Sequence, residues 1–447
     1  MKKLCGILLD YTLMLFIWIG GFLIFLRAFN ATPLLPGIDG PYYAVQVNWI
    51  LKYGGLKYLD PPLTFYIMAF FANVLGDVFI AVKAVASLFT AATVVPLYLF
   101  YRDFLGERGG GISASLVFIL NFYTFRLLGD FIKNSIGLLW LASYIYFLYK
   151  FLREKTRGSL AGLLFFLALT ALTHVLDLGT AMLLTFILTA LVFIFKIDKV
   201  IVVPFMICII FLLGLFIAPA VVGHDIFKFV AFIEETLGES DASMQMPFDE
   251  FIKRGIISLT AVSLLFLTGI RNTLAREDKR NRVFLLALAF SSLLLNLPFY
   301  PMQWLFRFQL MSSIFIAYAT GFCTSHLKTF YSKLVLLTLF TSLLLATNHY
   351  IFTGFRPSIP LEEYNELVNV VQKYSGKSFV VPDTRLRYWV ETLTEKVYKK
   401  PPAVQQNKIL FIFDRRHLPK IPLFKPLYEG KYIIVMKAWK PPKIHKP

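Results

Sequence analysis

Apolar runs of membrane-spanning length fill most of this chain, and they fix what it can fold into. A helix needs about 20 largely apolar residues to cross the hydrocarbon core of a bilayer. Runs near that length cover 5–26, 78–101, 110–128, 134–151, 159–173, 178–195, 200–220, 255–270, 283–300, 306–325 and 334–352. Hydrophobic residues make up 57% of the sequence and charged residues only 16%, which excludes an ordinary water-soluble core. The first run follows Met1-Lys2-Lys3 and has no small-residue cleavage site after it, so it reads as a retained anchor.

One further run, 63–76, is 14 residues long and ends at Gly76-Asp77. If it crossed the membrane, every later loop would change sides and the basic segments 150–158 and 271–282 would face outward, against the positive-inside rule. Laid along the outer surface, it leaves the basic loops 102–108, 150–158, 196–199, 271–282 and 326–333 all inside. The sequence therefore predicts a polytopic α-helical membrane protein of about 11 transmembrane helices, with the N-terminus cytoplasmic and the C-terminus external. The short run 159–173 leaves the count uncertain by one.

Two parts follow: a transmembrane domain, 1–352, with a first external loop at 30–77, and an external domain, 353–447. In the second, 361–374 and 384–398 have the pattern of amphipathic helices, whereas 379–381, 409–413 and 432–436 have that of buried strands. That alternation predicts a small α/β domain. It carries 18 Lys and Arg against 8 acidic residues, a large share of the net charge of +18. No nucleic-acid recognition motif accompanies this charge, so anionic membrane lipids are the expected partner and nucleic acid is not. Cys5, Cys208 and Cys323 are spaced for neither a disulfide framework nor a metal cage, and no phosphate-binding loop or dinucleotide fingerprint occurs.

The predicted topology collects Asp39, Asp60, Arg126, Asp130, Lys133, His174, Asp177 and Arg307 on one membrane face. Such a collection suits an active cavity, since ionisable groups at membrane depth are costly. The loop between the first span and the 63–76 run is the most informative stretch. It reads Gly37-Ile38-Asp39-Gly40-Pro41-Tyr42-Tyr43, continues to Gly54-Gly55, and closes on Asp60-Pro61-Pro62-Leu63. The glycines and proline around Asp39 turn the backbone, leaving the carboxylate either to point into a cavity or to shape a turn or cap.

These residues resemble the first external loop of GT-C membrane glycosyltransferases, in particular the protein mannosyltransferases and the aminoarabinose transferases of lipid A. Residues 1 to about 150 carry the resemblance best. The chain departs from those families in having Gly40 after Asp39 and Asp60 before Pro61. The oligosaccharyltransferase Trp-Trp-Asp signature is absent.

The resemblance implies an inverting transfer of sugar from a polyprenyl-phosphate donor to a hydroxyl acceptor on protein, lipid or glycan. Such a reaction needs a positioned base for the hydroxyl proton and cations for the departing phosphate. Asp39 is the expected base, or a ligand of a divalent ion together with Asp130. Asp130, in Gly129-Asp130-Phe131-Ile132-Lys133, would orient the acceptor or bind a divalent ion such as Mg or Mn, or else cap a helix. Arg307 and Lys133 would hold phosphate, with Arg126 near them and Asp60 shaping the loop or the sugar pocket. Arg126 and Lys133 are equally open to snorkelling and Arg307 to anchoring at the interface. No cofactor is certain. His174 and Asp177 form a weak metal pair that lacks further ligands, and the acidic loop 221–254 reads as solvated or as an acceptor entrance. Two other functions remain open on sequence alone. One is a flippase or carrier of lipid-linked sugars, which would need no base and is opposed by the lack of an internal repeat. The other is a non-catalytic membrane scaffold.

Overall fold

The structure, a computed structural model, describes residues 2–106, 108–197, 199–217, 279–297, 300–325, 330–401, 409–418 and 424–438, with Ser263 and Leu267 singly. The predicted span 255–270, the acidic loop 221–254 and the chain beyond Ala438 lie outside the described residues, apart from those two positions.

Helix α1 (Lys2–Asn30) leads through the first loop into α2 (Asp39–Tyr53) and α3 (Leu63–Leu75). Then come α4 (Val78–Ala92), α5 (Val94–Leu105), α6 (Arg108–Ile119), α7 (Phe122–Asp130), α8 (Ile132–Glu154), α9 (Arg157–Thr173), α10 (Val175–Ile194) and α11 (Val202–Ile217). Three long helices follow, Lys279–Leu295, Met302–Ser325 and Phe330–Thr353. Among the described residues, four helices are long and apolar enough to cross a membrane: Gly6–Asn30, Val78–Phe104, Ile132–Glu154 and Val175–Ile194. The pair α6 and α7 makes a fifth if counted as one span, bent by 45°. The protein is therefore a multi-pass membrane protein.

At its 13 residues, α3 is about 20 Å long at 1.5 Å per residue, well short of a hydrocarbon core of about 30 Å. It ends at Gly76 in the left-handed region, φ 74°, and Asp77 caps α4 by accepting a hydrogen bond from the Ile80 amide at 2.8 Å. The run 110–128, read from sequence as one straight span, is broken. Asn121 adopts extended backbone, and its side chain accepts from the Tyr123 amide at 2.9 Å, so a new helix starts there. Asp130 consequently ends α7 instead of starting the next span, and α8 begins only after Phe131 leaves helical geometry.

The bundle core is built from aromatic rings on helices remote in sequence. Phe100 meets Tyr149, Phe284, Tyr318 and Phe322 at centroid distances between 4.9 and 6.1 Å.

After Thr353 the chain turns at Gly354, φ 74°, and enters the tail. Phe355 packs on Phe29 at 4.7 Å and Phe125 at 6.2 Å, and the Gly37 amide donates to the Arg356 carbonyl at 3.0 Å. The tail contains helices Leu361–Lys373 and Thr384–Leu393 beside a five-stranded sheet in the order β2-β1-β3-β5-β4. Its strands are β1 (Ser378–Val380), β2 (Val397–Tyr398), β3 (Ile409–Asp414), β4 (Phe424–Glu429) and β5 (Ile433–Ala438). β1 runs parallel to β2 and β3, whereas β5 is antiparallel to β3 and β4. The helix expected over 384–398 is shorter than predicted. It stops at Leu393 because Thr394 is fully extended, φ −155° and ψ 149°, and the next residues pair as β2.

Gly354 and Gly76 share one backbone conformation but differ in surroundings. A Cβ on Gly354 would lie 2.5 Å from the Ala31 Cβ and 2.8 Å from the Ala28 carbonyl oxygen, whereas one on Gly76 would meet nothing within 4 Å. Gly76→Ala should cost about 1–2 kcal/mol, the backbone penalty alone. Gly354→Ala should cost about 1–3 kcal/mol more through overpacking. Thermal unfolding of both variants in detergent micelles checks this, and equal losses would contradict the close packing of the tail's first turn on α1.

Candidate active site

The candidate site forms where the ends of several helices converge. Gly37 sits in the left-handed region, φ 58°, and a Cβ there would lie 2.8 Å from the Gly129 carbonyl oxygen and 3.7 Å from Oδ1 of Asp130. The start of α2 and the end of α7 therefore touch, bringing the Asp39 and Asp130 segments together. Asp39 is half-buried in the first turn of α2, where the helix dipole favours a carboxylate. It does not cap the helix: the N-cap position is Ile38 and no side chain closes it.

Asp60 and Lys133 form a buried ion pair, with side chains 9% and 7% exposed, so each charge relies on the other. Lys133 donates to Oδ1 of Asp60, and the Tyr42 hydroxyl donates to Oδ2 at 2.8 Å. Gln46, one helical turn beyond Tyr42, donates to the Tyr42 oxygen at 3.0 Å and to the Tyr58 carbonyl at 2.8 Å. Its own carbonyl accepts from the Lys57 and Tyr58 amides. Burial pushes the Tyr42 phenol well above its ordinary range, and the Asp60 carboxylate pushes it further, so Tyr42 stays a donor. The Lys133 backbone amide donates to the Tyr43 hydroxyl at 3.1 Å, and its ammonium lies 5.5 Å from the Phe65 ring centre.

Asp130 pairs with Arg126 at 2.6 Å across one turn of α7, both about one-third exposed. Arg126 also lies over the Phe306 ring at 5.7 Å. Arg307 lies over Phe131 at 5.6 Å and Trp304 at 5.2 Å, with no carboxylate partner among the described residues. It is thus carried to the break between α7 and α8.

His174 caps α10 by accepting from the Leu176 amide at 3.1 Å, and Asn134 contacts the same ring nitrogen at 3.1 Å. Asp177, 3.8 Å from that nitrogen, is fully buried, and neither of its oxygens has a hydrogen-bond partner among the described residues. The cation acting on it is Lys133. Among the described residues, no group of three or more His, Cys, Asp or Glu side chains is placed to hold a metal ion. Asp130 is engaged by Arg126, and the His174–Asp177 pair gains no third ligand among the described residues.

The tail forms part of the surroundings, as expected of an external domain that helps dock the acceptor or close the cavity, but which of its helices meets the first loop is something sequence reasoning missed. Helix Thr384–Leu393 lies on α2. Tyr388 meets Tyr42 at 5.2 Å and Tyr58 at 6.2 Å. Glu391 accepts from the Tyr58 hydroxyl at 2.8 Å and pairs with Lys57 at 3.0 Å. The amphipathic pattern of 384–393 signals a helix with one buried face but not which surface it meets. Lys83, also missed, is buried in α4 and donates to the Thr32 and Pro33 carbonyls at 2.7 and 3.2 Å, which holds the first loop at its root.

Broken helices in a multi-pass bundle, a carboxylate loop, buried cations and a small mixed-sheet tail define the class as a multi-pass membrane protein with a polar site at its helix ends. Two comparisons with known proteins bear on that class. Residues 60–222 match the family described as dolichyl-phosphate-mannose-protein mannosyltransferase, a stretch that holds Asp60, Arg126, Asp130, Lys133, His174 and Asp177. The solved structure of ArnT from Cupriavidus metallidurans bound to undecaprenyl phosphate superposes with a TM-score of 0.58 at 10% identity, covering 96% of this chain and 97% of that one. No curated protein matches the chain. The chain shares the fold of the ArnT structure.

Removing one member of a buried ion pair strands the other, at about 3–5 kcal/mol, whereas replacing both costs far less than the sum. Asp60→Asn and Lys133→Met should each lower thermal stability strongly, and the double variant should recover a large part of the loss. Additive losses in the four-member cycle would show that the two side chains do not depend on each other.

Proposed function

We propose that this protein is an inverting glycosyltransferase that moves a sugar from a polyprenyl-phosphate donor to a hydroxyl acceptor at the outer membrane face. The observation that carries the reading is the buried Lys133 ammonium, held by Asp60, which also accepts from the Tyr42 hydroxyl, at the helix ends where Asp39 and Asp130 also gather. The family match over 60–222 and the fold shared with a structure holding undecaprenyl phosphate support the donor class. The positive-inside rule, which favours a topology with the basic loops inside, supports the outer face.

In this reading Asp39 takes the proton of the acceptor hydroxyl as that oxygen bonds to the anomeric carbon. The bond from that carbon to the phosphate oxygen breaks, and its electron pair stays on the lipid phosphate. Attack opposite the leaving phosphate inverts the anomeric centre. Lys133 and Arg307 meet the charge that grows on the phosphate, where a pre-placed cation in a water-poor site acts most strongly. Arg126, paired with Asp130, adds to that field, and Asp130 orients the acceptor. Asp60 acts through Lys133 by holding its ammonium in place.

A positioned base contributes about 10²–10⁴-fold to such a step. Asp39→Asn should therefore lower kcat by about that factor while the Kd for a polyprenyl-phosphate sugar stays within a few-fold. Turnover of radiolabelled polyprenyl-phosphate sugars by the purified pair reads this directly. Equal turnover by both proteins would remove Asp39 from the mechanism, and transbilayer movement of the donor without transfer would favour a carrier.

Arg307→Gln should weaken binding of polyprenyl phosphate itself, since a hydrogen bond to a charged group contributes about 1.5–3 kcal/mol. Titration into nanodisc-embedded protein checks it, and unchanged affinity would leave Arg307 as an interface anchor.

A further inference from the structure

We propose that the tail helix Thr384–Leu393 is a wall of the active site, with Tyr388 the specificity-determining residue that contacts a pyranose ring beside Asp39. The proposal rests on the transferase reading and adds a substrate contact from a part of the chain remote from the catalytic loop.

Tyr388 stands in a row of contacts that runs to the centre of the site. Its ring meets Tyr42 at 5.2 Å, the Tyr42 hydroxyl bonds Asp60 at 2.8 Å, and Asp60 holds Lys133. Tyr58 stacks on Tyr42 at 5.9 Å and meets Tyr388 edge-on at 6.2 Å, so three tyrosines from two remote segments form one aromatic surface. Arg387 lies over the Tyr388 ring at 5.0 Å. Tyr42, which Tyr388 meets, stands one helical turn from Asp39 on α2; burial raises the Tyr388 phenol above its ordinary range, and the Asp39 carboxylate adds to the shift. Tyr388 remains partly exposed whereas its helix neighbours Trp389 and Val390 are fully buried. A partly exposed ring with a hydroxyl at its tip suits a sugar, which presents an apolar C–H face and a rim of hydroxyls.

The helix carrying Tyr388 is fixed firmly enough to place it. Glu391, with a side chain 1% exposed, takes Lys57 at 3.0 Å and the Tyr58 hydroxyl at 2.8 Å, and Arg387 lies 3.8 Å from it. Farther out, Glu395 takes the Tyr53 hydroxyl at 2.8 Å and pairs with Lys52. The buried carboxylate fixes the helix against the first loop, while the outer pair is exposed and adds little.

The sugar in contact with Tyr388 has two possible sources, the donor's transferred residue or a glycosyl unit of the acceptor. The test measures binding to wild type, Tyr388→Phe and Tyr388→Ala in nanodiscs. One arm titrates polyprenyl-phosphate mannose, glucose and N-acetylglucosamine, with polyprenyl phosphate as the sugar-free control. The other titrates the p-nitrophenyl glycosides of the same sugars as acceptor mimics. Hydrogen exchange across Thr384–Leu393 monitors whether the helix stays docked, and the exposed pair variant Lys52→Met serves as the unchanged reference.

Tyr388→Ala should weaken the sugar-bearing ligand of one arm about tenfold, the scale of one lost hydrogen bond with its ring contact. Affinity for the sugar-free lipid and exchange protection of the helix should stay at wild-type values. Tyr388→Phe should fall between the two. The arm that responds identifies the source of the sugar. Unchanged affinities in both arms, absence of glycoside and sugar-lipid discrimination in the wild type, or weakening that tracks lost exchange protection would each overturn the proposal. Sugar binding that depends on Tyr388 without any Asp39-dependent turnover would instead retain the wall and sink the transferase reading.

Discussion

The ion pair between Asp60 and Lys133 is the constraint on which the rest of the site depends. Each charge is almost fully removed from water, and an isolated buried ion costs several kcal/mol, so neither side chain is stable in place without the other. Their meeting joins the connection before α3 to the first turn of α8. Tyr42 brings in α2 by donating to the second Asp60 oxygen. Gln46 then ties the same helix to the backbone at Lys57 and Tyr58. The first loop is in this way fastened to the bundle through polar groups that are mutually satisfied, an arrangement that rigidifies where a half-satisfied one destabilises.

A second fastening comes from the tail, and its parts are unequal. Lys57 and Glu391 have side chains 13% and 1% exposed, whereas Lys52 and Glu395 are 59% and 42% exposed. The outer pair is screened by solvent and contributes little. Docking therefore depends on Glu391, with its Lys57 and Tyr58 partners, and on the backbone link between Gly37 and Arg356. Inside the tail, Glu363 is also buried, which raises its pKa, while Arg385 and Arg416 act in the opposite sense. Both arginines also bind Asp414, so one network joins the helix Leu361–Lys373 to the end of β3.

Several of these features were legible in the sequence because they are local. The apolar runs and the charge bias of their loops announce a multi-pass membrane protein. Arg126 and Asp130 are spaced one helical turn apart, and the short run before Gly76-Asp77 ends as α3 at that glycine. What escaped reading is either long-range or lacks period. Asp60 and Lys133 are 73 residues apart, and Tyr58 and Glu391 are 333 apart, and no spacing rule links such pairs. The strand Phe424–Glu429 was missed because Pro426 argues against a strand; the proline is tolerated there because β4 lies at the sheet edge, with a register shift beside it. Two-residue β2 is too short to show alternation, so it was absorbed into the preceding helix. The bend in 110–128 rests on the cap at Asn121, which a hydropathy count does not see.

That bend, together with the breaks at Phe131 and His174, explains why ionisable groups are tolerated where they are. Asp130, Lys133 and Asp177 all lie within a turn of a helix end. For the acids in the first turns of α2 and α10 the helix dipole is favourable. For Lys133, in the first turn of α8, it is unfavourable, and the Asp60 carboxylate offsets the mismatch. A cation placed against a helix dipole, buried, and then stabilised by a carboxylate from another segment runs counter to every local preference of its position. Local preference is normally overridden where a site must hold a charge ready for something else. In the proposed reaction, a lipid phosphate arriving at those helix ends would supply a second anion for that ammonium, and the same dipoles that oppose Lys133 would favour the phosphate itself.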